Sequence, residues 1–445
     1  MRRQTILLIG IFATVPAWSQ VQPTATGDVA PIDEQTQMMT PPLVSGAIYP
    51  NVAGAAERQN YVAGAIRTEG AYTDNIRPAT AANQISDETI SIIPEFTFNR
   101  TMPRQHTTLT FSPAFTFYRN TTELNAMDQS ANATFERRMS PHIAIGFQDY
   151  FVRTSNVFNT PFPFTAGGLA GNAQTPVPAV IAPFTEQIRN VANANLSYQF
   201  SSKGMIGGGG EFANYKFPNR AQAPGLIDSD SFGGNVFYQR RISHSQNVGL
   251  MYQYARIMSY PTNSKVQSQI NTALPFYILS FTRRFSVSIA AGAQRTDVTQ
   301  TQRPTYRSWS PAAFASFGWQ GDRGNLAATY LHTSIAGQGL LGAFHSDGTN
   351  LAGGWRFARS WNGATAFSYQ NTSVVSPLIA LAYGGGKSIT AMVSVEHLIG
   401  ERLSVVGGYE RLHEEFNGLA VVAANPDANR EFVRISYTFT KSLGR

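Results

Sequence analysis

The sequence predicts an all-β protein, a transmembrane antiparallel up-and-down β-barrel of about 18 strands, with 16 as the alternative count. Three observations lead to this fold class. Apolar and polar residues alternate along many long segments, the polar residues of those segments are mostly uncharged, and short and long connections alternate along the chain. Together these features are typical of strands that face lipid on one side and water on the other.

The composition excludes several classes of protein. Only 14% of the 445 residues are charged, whereas 42% are hydrophobic and 12% aromatic. The chain has no Cys, which rules out a disulfide framework, a zinc–thiolate site and a cysteine nucleophile. The formal net charge of +7 is spread evenly, without a Lys/Arg cluster that could track phosphates, so we do not expect nucleic acid as a partner.

The first residues predict export. Residues 1–19 have the pattern of a signal peptide: a positive start, an apolar stretch over 6–15, and small residues at Ala17 and Ser19 before the predicted cut. The apolar stretch is too short to span a bilayer. A buried first strand or helix is the alternative interpretation.

The next segment, 20–60, is polar, punctuated by Pro and without periodicity. We interpret it as a mobile periplasmic extension. A plug that enters the barrel from below is the alternative. The barrel itself is expected to occupy 61–440, followed by a short periplasmic tail at 441–445.

Alternation is clear in the last predicted strand, near 431–440, where residues of one parity are apolar and residues of the other parity are polar or charged. The apolar set is Val433, Ile435, Tyr437 and Phe439, and the polar set is Arg434, Ser436, Thr438 and Thr440. Successive side chains of a strand point to opposite faces, so one face is apolar and the other polar.

A soluble β-sandwich also alternates, with its apolar face turned inward. Three features favour the membrane barrel. The predicted strands have about ten to thirteen residues, whereas soluble strands usually have about 5–6. The polar parity is poor in Lys and Glu. Aromatic residues gather near strand ends, as interfacial girdles require, at Phe96, Phe98, Phe151, Phe217, Trp309, Trp319, Trp355, Phe357 and Trp361.

Loop lengths predict the topology. Short connections near 140–141, 201–204 and 321–324 alternate with longer polar links such as 154–187 and 335–349. Outer-membrane barrels have short periplasmic turns and long external loops, so both chain ends are placed in the periplasm. The sheet must close, because an open edge in lipid would leave backbone groups unpaired.

The chain resembles the outer-membrane β-barrels of unassigned, porin-like function that are numerous in acidobacterial genomes. The residues that carry this resemblance are strand and turn patterns at 112–118, 124–125, 140–142, 153–159, 181–184 and 436–445. The resemblance implies a fold and an outer-membrane location rather than an activity. In one respect the chain departs from barrels in general: many end on an aromatic residue, whereas here Phe439 is followed by six more residues.

If the aromatic parity faces lipid, the other parity faces the lumen. Barrels of about 16–18 strands leave an aqueous channel, so these polar residues are expected to line one. Hydrogen-bonded ladders that fill the interior are the alternative. The predicted lining residues are Asn132, Glu136, Arg138, Gln148, Asn193, Asn195, Gln199, Gln239, Arg241, Gln253, Glu396 and Arg434.

The link 154–187 is unusually apolar for an external loop. We expect it to fold into the barrel and form a constriction through Phe158, Phe162, Phe164 and Phe184. A lid over the mouth, or packing against neighbouring subunits of a homo-oligomer, is the alternative.

The sequence contains no strong motif for catalysis or for metal binding. The His residues show no metal-site spacing, and no nucleophile elbow is present. His332, His345 and His413 are expected near the outer rim, with Asp347 or Glu414 close by, which keeps an outer-rim hydrolase as one alternative. Asp228 and Asp230 are too few for a calcium site.

The sequence therefore predicts a porin-like channel for passive diffusion of small hydrophilic solutes in the outer membrane of a Gram-negative-type bacterium. It is expected to contact outer-membrane lipid, to need no cofactor or metal, and not to be an enzyme. An export conduit or assembly component for envelope polymers such as exopolysaccharide is the main alternative.

Overall fold

The computed structural model describes residues 60–76, 84–155, 186–219, 225–261, 265–282, 284–301, 303–337, 339–376, 385–417 and 427–443. The predicted signal peptide and nearly all of the predicted extension 20–60 lie outside these residues. Within the described ranges, no helix is long and apolar enough to cross a lipid bilayer.

Long β-strands make up almost all of the described chain, together with a short 3-10 helix at Thr122–Leu124. The strands are β1 (Tyr61–Thr73), β2 (Asp87–Met102), β3 (Gln105–Tyr118), β4 (Ala126–Arg138), β5 (Ile143–Thr154), β6 (Gln187–Ser201), β7 (Gly204–Lys216), β8 (Ser229–Ser243), β9 (Gln246–Ser259), β10 (Val266–Thr282), β11 (Phe285–Gln300), β12 (Tyr306–Gln320), β13 (Gly324–Ala336), β14 (Ala343–Ala358), β15 (Trp361–Val374), β16 (Gly385–Ile399), β17 (Leu403–Asn417) and β18 (Asp427–Ser442).

Each strand pairs antiparallel with its neighbours in sequence, and the first strand also pairs with the last. β1 meets β18 from Tyr61/Ser442 to Thr73/Arg430, and meets β2 on its other edge. The 18-stranded sheet is therefore closed. The predicted fold class, an all-β up-and-down barrel of 18 strands, is confirmed, and the alternative count of 16 does not apply.

The alternation seen in the sequence sets the two faces of the wall. On β18, Val433, Ile435 and Phe439 are 56%, 51% and 52% exposed, whereas Arg430 and Phe432 of the other parity are buried. In a closed barrel the exposed parity is the outer one, because side chains of the other parity converge on the concave inner face, where their neighbours shield them. The aromatic and aliphatic parity therefore faces outward.

The outward apolar side chains form a band with an aromatic residue at each rim. On β12, Trp319 stacks on Trp355 of β14 with ring centroids 5.8 Å apart, and Trp309 lies near the opposite end of the strand. About ten residues separate the two tryptophans, which at a strand tilt of about 40° corresponds to roughly 25 Å along the barrel axis. That is about the height of the lipid-facing band of outer-membrane barrels.

One connection differs from the prediction. The range 335–349 was expected to be a long external link, but β13 runs to Ala336 and β14 starts at Ala343. The two strands stay paired up to the rung Ala336/Ala343. The pairing of these two strands continues beyond the apolar band. In that segment the outward residues, such as His332 and Asp347, are polar, so the alternation of apolar and polar residues that predicts a strand is lost.

Candidate functional site

The inner face of the barrel holds the candidate site. The register places all twelve predicted lining residues on the parity opposite to the exposed aromatic side chains; Asn132 pairs with Thr110, Glu396 with Asn362, and Arg434 with Val406. They come from β4, β5, β6, β8, β9, β16 and β18. Gln239 and Glu396 are buried. That these residues line a solute path stays a prediction.

A buried charge network joins the first and last strands on this inner face. Arg430 of β18 lies between Glu69 of β1 and Glu410 of β17, with Nη1 2.8 Å from Oε2 of Glu410 and Nη2 on Oε1 of Glu69. Arg434 adds a bond from Nε to Oε2 of Glu69, 2.7 Å away. Both guanidinium groups stack over Phe432, at 5.5 and 5.3 Å from the ring centroid. Opposite charges are thus matched where the barrel closes.

A second inward pair lies next to this network. Nη2 of Arg67 on β1 is 2.8 Å from Oε2 of Glu95 on β2, and both side chains are partly exposed. Charges of both signs therefore stand close together on this part of the wall.

The opposite part of the wall, from β8 to β13, is apolar. Met251, Leu274, Phe276 and Phe314 form its centre. The same cluster includes Ile278, Ala290 and Ala312, with Phe237 and Leu331 packed against it. The inner surface therefore has a charged, polar side and an apolar side.

The end of the β13–β14 hairpin turns into the barrel. We call the arms Thr333–Ala336 and Ala343–Ser346, with the tip between them, the inner hairpin. Gln294 of β11 holds it: Nε2 donates to Oγ1 of Thr333, 3.1 Å away, and Oε1 accepts from the backbone N–H of Ser334 at 2.8 Å. The same Nε2 donates to Oγ1 of Thr272 on β10. Gln294 is buried, and these bonds satisfy its amide.

The inner hairpin also contacts the far side of the barrel. Its tip residue Leu340 and its arm residue Phe344 pack with Phe217, Leu226 and Phe416. Phe217 follows β7, Leu226 precedes β8, and Phe416 belongs to β17. Ile227 donates its backbone N–H to the carbonyl oxygen of Gly339, 2.8 Å away.

On the near side, Ala343 packs with Ile257, Val266, Ile270 and Val298, from β9, β10 and β11. Gly342 donates its backbone N–H to Oγ of Ser259, 3.1 Å away. The inner hairpin thus extends from β11 to β17 across the lumen, at the end of the barrel where the longer connections lie.

The tip of the inner hairpin requires glycine. Gly339 has φ +118° and Gly342 has φ +87°, in the region that L side chains rarely adopt. A Cβ on Gly339 would lie 2.9 Å from the ring of Phe217. The local Gly cluster signals a tight turn, but no sequence signal indicated that Gln294, Thr333 and Ser334 belong to the site, and these residues were not predicted.

The rim histidines form pairs that differ from a catalytic triad. Nδ1 of His332 lies 2.5 Å from Oδ1 of Asp347, while Nδ1 of His345 lies 3.0 Å from Oγ of Ser334. These pairs occupy alternate rungs of the β13–β14 ladder, with the rung Thr333/Ser346 between them, so the carboxylate orients one imidazole and the hydroxyl meets the other. His413 bonds to Asp427, at 2.9 Å. A serine–histidine–aspartate relay needs all three groups in one chain of hydrogen bonds.

Asp228 and Asp230 anchor loops. Asp228 accepts the backbone N–H of Phe217 at 2.9 Å, and Asp230 accepts the hydroxyl of Tyr260 at 2.9 Å as well as the amide of Asn214. Burial, reinforced by the hydrogen bond to Asp230, raises the pKa of Tyr260. In the described part of the chain, no group of three or more His, Asp or Glu is placed to hold a metal ion.

The predicted constriction residues Phe158, Phe162, Phe164 and Phe184 lie outside the described residues. The expectation that they narrow the channel stays a prediction. The strands on either side of that segment are described, and β5 pairs with β6 from Thr154/Gln187 to Ile143/Tyr198.

No protein-family model matches the chain, and no curated protein matches its sequence. Among solved structures, a BenF-like porin from Pseudomonas fluorescens Pf-5 is 8% identical, with 86% of this chain and 98% of that chain covered at a TM-score of 0.42. Pseudomonas aeruginosa OccK2 (OpdF) is 10% identical, with 85% and 97% covered at a TM-score of 0.41. The FrpB iron transporter from Neisseria meningitidis is 11% identical, with 83% and 65% covered at 0.41. At TM-scores this low, the likenesses carry no inference about what this chain transports.

Proposed function

We propose that this protein is a porin-like outer-membrane channel through which small hydrophilic solutes diffuse passively. The observation that carries this proposal is a closed barrel of 18 strands with an apolar exterior and an inward parity rich in amide, hydroxyl and charged groups. A barrel of about this strand number encloses more space than its own side chains fill.

The proposed location follows from the exterior. An apolar band bounded by Trp309 and Trp319 suits the hydrocarbon layer and its two interfaces. Strand-built spans of this type belong to the outer membrane of diderm bacteria. Three further parts of the proposal rest on the sequence alone. They are export with cleavage after residue 19, a homo-oligomeric state, and kinship with acidobacterial barrels.

The inner hairpin is proposed as part of the filter. It occupies lumen between β11 and β17, so a solute has to pass beside it. Loop 154–187 is proposed as a second narrowing element. Because inward Arg and Glu are paired, as in Arg67–Glu95 and the Glu69–Arg430–Glu410 network, the ion selectivity is expected to be weak.

The test is planar-bilayer recording of the purified full chain. The expected result is stepwise conductance with a roughly linear dependence on salt concentration and little preference between cations and anions. A protein that purifies from the periplasm without detergent as a compact monomer would contradict both the location and the channel.

Deleting residues 160–182 tests the loop separately. If loop 154–187 narrows the path, the deletion raises the single-channel conductance. An unchanged conductance would remove the loop from the filter while leaving the channel itself intact.

A further inference from the structure

The outer wall carries an excess of positive charge on β9 to β12, at the end of the barrel where longer connections such as 260–265 and 301–305 lie. Two outward rows of side chains cross these four strands there. The upper row is Arg256, Gln269, Asp297 and Arg307, and the lower row is Tyr254, Asn271, Arg295 and Trp309. We call Arg256, Arg295, Asp297 and Arg307 the basic patch.

A single carboxylate serves the three arginines of the basic patch. Asp297 is taken by Arg295, whose Nε donates to Oδ1 at 3.1 Å and whose Nη2 donates to Oδ2 at 3.0 Å. Nε of Arg307 stays 3.9 Å from Oδ1 of Asp297, too far for a hydrogen bond. Arg256 donates from Nη2 to a neutral amide oxygen, Oε1 of Gln267, 2.6 Å away. Arg256 and Arg307 are both exposed, so their remaining donors face outward.

The charges next to the basic patch balance each other. Asp230 on β8 lies beside Met258 and accepts the hydroxyl of Tyr260 and the amide of Asn214. Lys265, which precedes β10, has its Nζ over the ring of Tyr260, 5.9 Å from the centroid. The excess of two positive charges in the basic patch therefore remains.

Other outward cations near this end of the barrel have a carboxylate of their own. The pairs are Arg119–Glu88 at 2.6 Å, Arg153–Glu186 at 2.7 Å, Lys387–Glu415 at 2.8 Å and Arg411–Asp427 at 3.3 Å. Compared with these matched pairs, the basic patch has more cations than its own carboxylate can neutralise. It is thus suited to an anionic group from outside the chain.

Short apolar side chains lie directly below the basic patch, on the outward face of β10, β11 and β12. They are Ala273, Pro275, Ala291, Ala293, Pro311 and Ala313. The register aligns Ala293 with Ala273 and Pro311 in the row below the two rows of the patch. Exposed tyrosines stand on either side, Tyr252 on β9 and Tyr330 on β13. Short side chains between larger ones leave a shallow groove, which we call the alanine groove.

The basic patch lies at the depth of lipid head groups. Trp309, in the same row as Arg295, is 71% exposed and marks the rim of the apolar band. Asp297 and Arg307 lie two residues further along their strands, about 5 Å higher along the barrel axis. The headgroup layer is roughly 5–7 Å thick on each side of the hydrocarbon. The guanidinium groups thus meet head groups, whereas the alanine groove meets acyl chains.

We propose that the basic patch and the alanine groove bind a phosphorylated glycolipid of the outer leaflet, of the lipid A type. The planar fork of an Arg side chain matches two oxygens of a phosphate. Three inter-strand spacings of about 4.8 Å place the backbones of Arg256 and Arg307 about 14 Å apart, so the two arginines take phosphates at opposite ends of a disaccharide head group. The acyl chains lie along the alanine groove. This inference rests on the proposed outer-membrane location with the longer connections outside, and not on a solute path through the lumen.

The experiment is native mass spectrometry of the full chain in detergent, with bisphosphorylated lipid A as the probe. The unmodified protein is expected to bind a single lipid A. Arg256→Gln with Arg307→Gln should weaken the apparent affinity about tenfold or more, because hydrogen bonds to charged groups are the strong ones. Each single variant should show part of this loss. Ala293→Phe, which fills the groove without changing a charge, should also weaken binding.

The matched controls are Arg119→Gln with Arg411→Gln, which removes two paired arginines of the same rim, and Ala133→Phe on the outward face of β4. Both should bind lipid A like the unmodified protein, and gel mobility with and without heating checks that every variant is folded. An equal loss in the controls, or full affinity in the double variant, would overturn the proposal.

The choice of lipid is tested in the same way. Dephosphorylated lipid A and phosphatidylglycerol should both bind at least several-fold more weakly than bisphosphorylated lipid A, and equimolar inorganic phosphate should not displace it. Equal binding of either lipid, or displacement by phosphate, would contradict the assignment to a phosphorylated glycolipid. Bilayer conductance of the double variant is expected at the unmodified level. A protein that conducts but does not bind lipid A would therefore overturn this site and leave the channel intact.

Discussion

The backbone N–H of Ser334 donates a hydrogen bond to Oε1 of Gln294, 2.8 Å away, although β12 separates their two strands in the wall of the barrel. This bond is possible only because β13 leaves β12 after His332 and turns inward. One buried amide thus holds an element that lies inside the barrel, next to the point where β12 and β13 stop pairing.

Replacing Gln294 should release the inner hairpin. Gln294→Ala removes the partners of Thr272, Thr333 and the Ser334 backbone, and each buried polar group left without a partner costs about 1–3 kcal/mol. We expect higher and noisier single-channel conductance, together with new protease cleavage near the hairpin tip. Gln320→Ala, at the end of β12 next to the short connection to β13, is the control and should change neither the conductance nor the cleavage. A Gln294→Ala channel with unaltered conductance would show that the hairpin is held by its apolar contacts alone.

A disulfide should trap the inner hairpin where the structure places it. The chain has no Cys, so Thr296→Cys with Ser334→Cys introduces the sole pair of thiols, at positions whose hydroxyl oxygens are 3.4 Å apart. Oxidation is expected to consume both thiols and to leave conductance near that of the unmodified protein. Thiol titration and bilayer recording check this. Thiols that stay free under oxidant would place the hairpin elsewhere in the membrane-embedded protein.

The charge network at the closure of the barrel should contribute strongly to stability. Arg430 and Glu69 are each 2% exposed, and Arg430→Met leaves Glu69 and Glu410 buried without that partner. Removing one member of a buried ion pair costs about 3–5 kcal/mol. The urea midpoint, followed by the gel mobility of folded and unfolded barrel, should fall accordingly.

The matched control is Arg284→Ala. Arg284 pairs with Asp322 at 2.9 Å on an exposed turn, where water screens the charges. The urea midpoint of Arg284→Ala should not differ measurably from that of the unmodified protein. Equal shifts for Arg430→Met and Arg284→Ala would mean that the network adds no more than an exposed pair.

The outward orientation of the apolar parity predicts an asymmetric response to charge. Val433→Arg places a cation on the outer face near the middle of β18, and such a change costs about 2–4 kcal/mol at the bilayer midplane. Ser197→Arg, on the inward parity of β6, should cost far less because its side chain faces the interior. Folding yield and urea midpoints in the same lipid measure both. The reverse order would mean that the two faces are assigned the wrong way round.

The sequence by itself determined the strand pattern, the number of strands and the face that each residue occupies. Alternation along a strand is a local property, so Val433 and Phe439 could be placed on one face and Arg434 on the other without knowledge of any partner strand. The alternation of short and long links then predicted an up-and-down order that closes with 18 strands.

Only the tertiary structure decided where pairing stops and what fills the interior. Nothing local to β13 indicates that its ladder with β12 ends at Ala313/His332, since Tyr330, His332 and Ser334 continue the same alternation. The rung at which this pairing ends depends on contacts of the inner hairpin with Gln294, Phe217 and Phe416. These residues are distant in sequence and meet the inner hairpin only once the barrel is closed. Contacts between separated strands depend on register and curvature, and a period of two residues encodes neither.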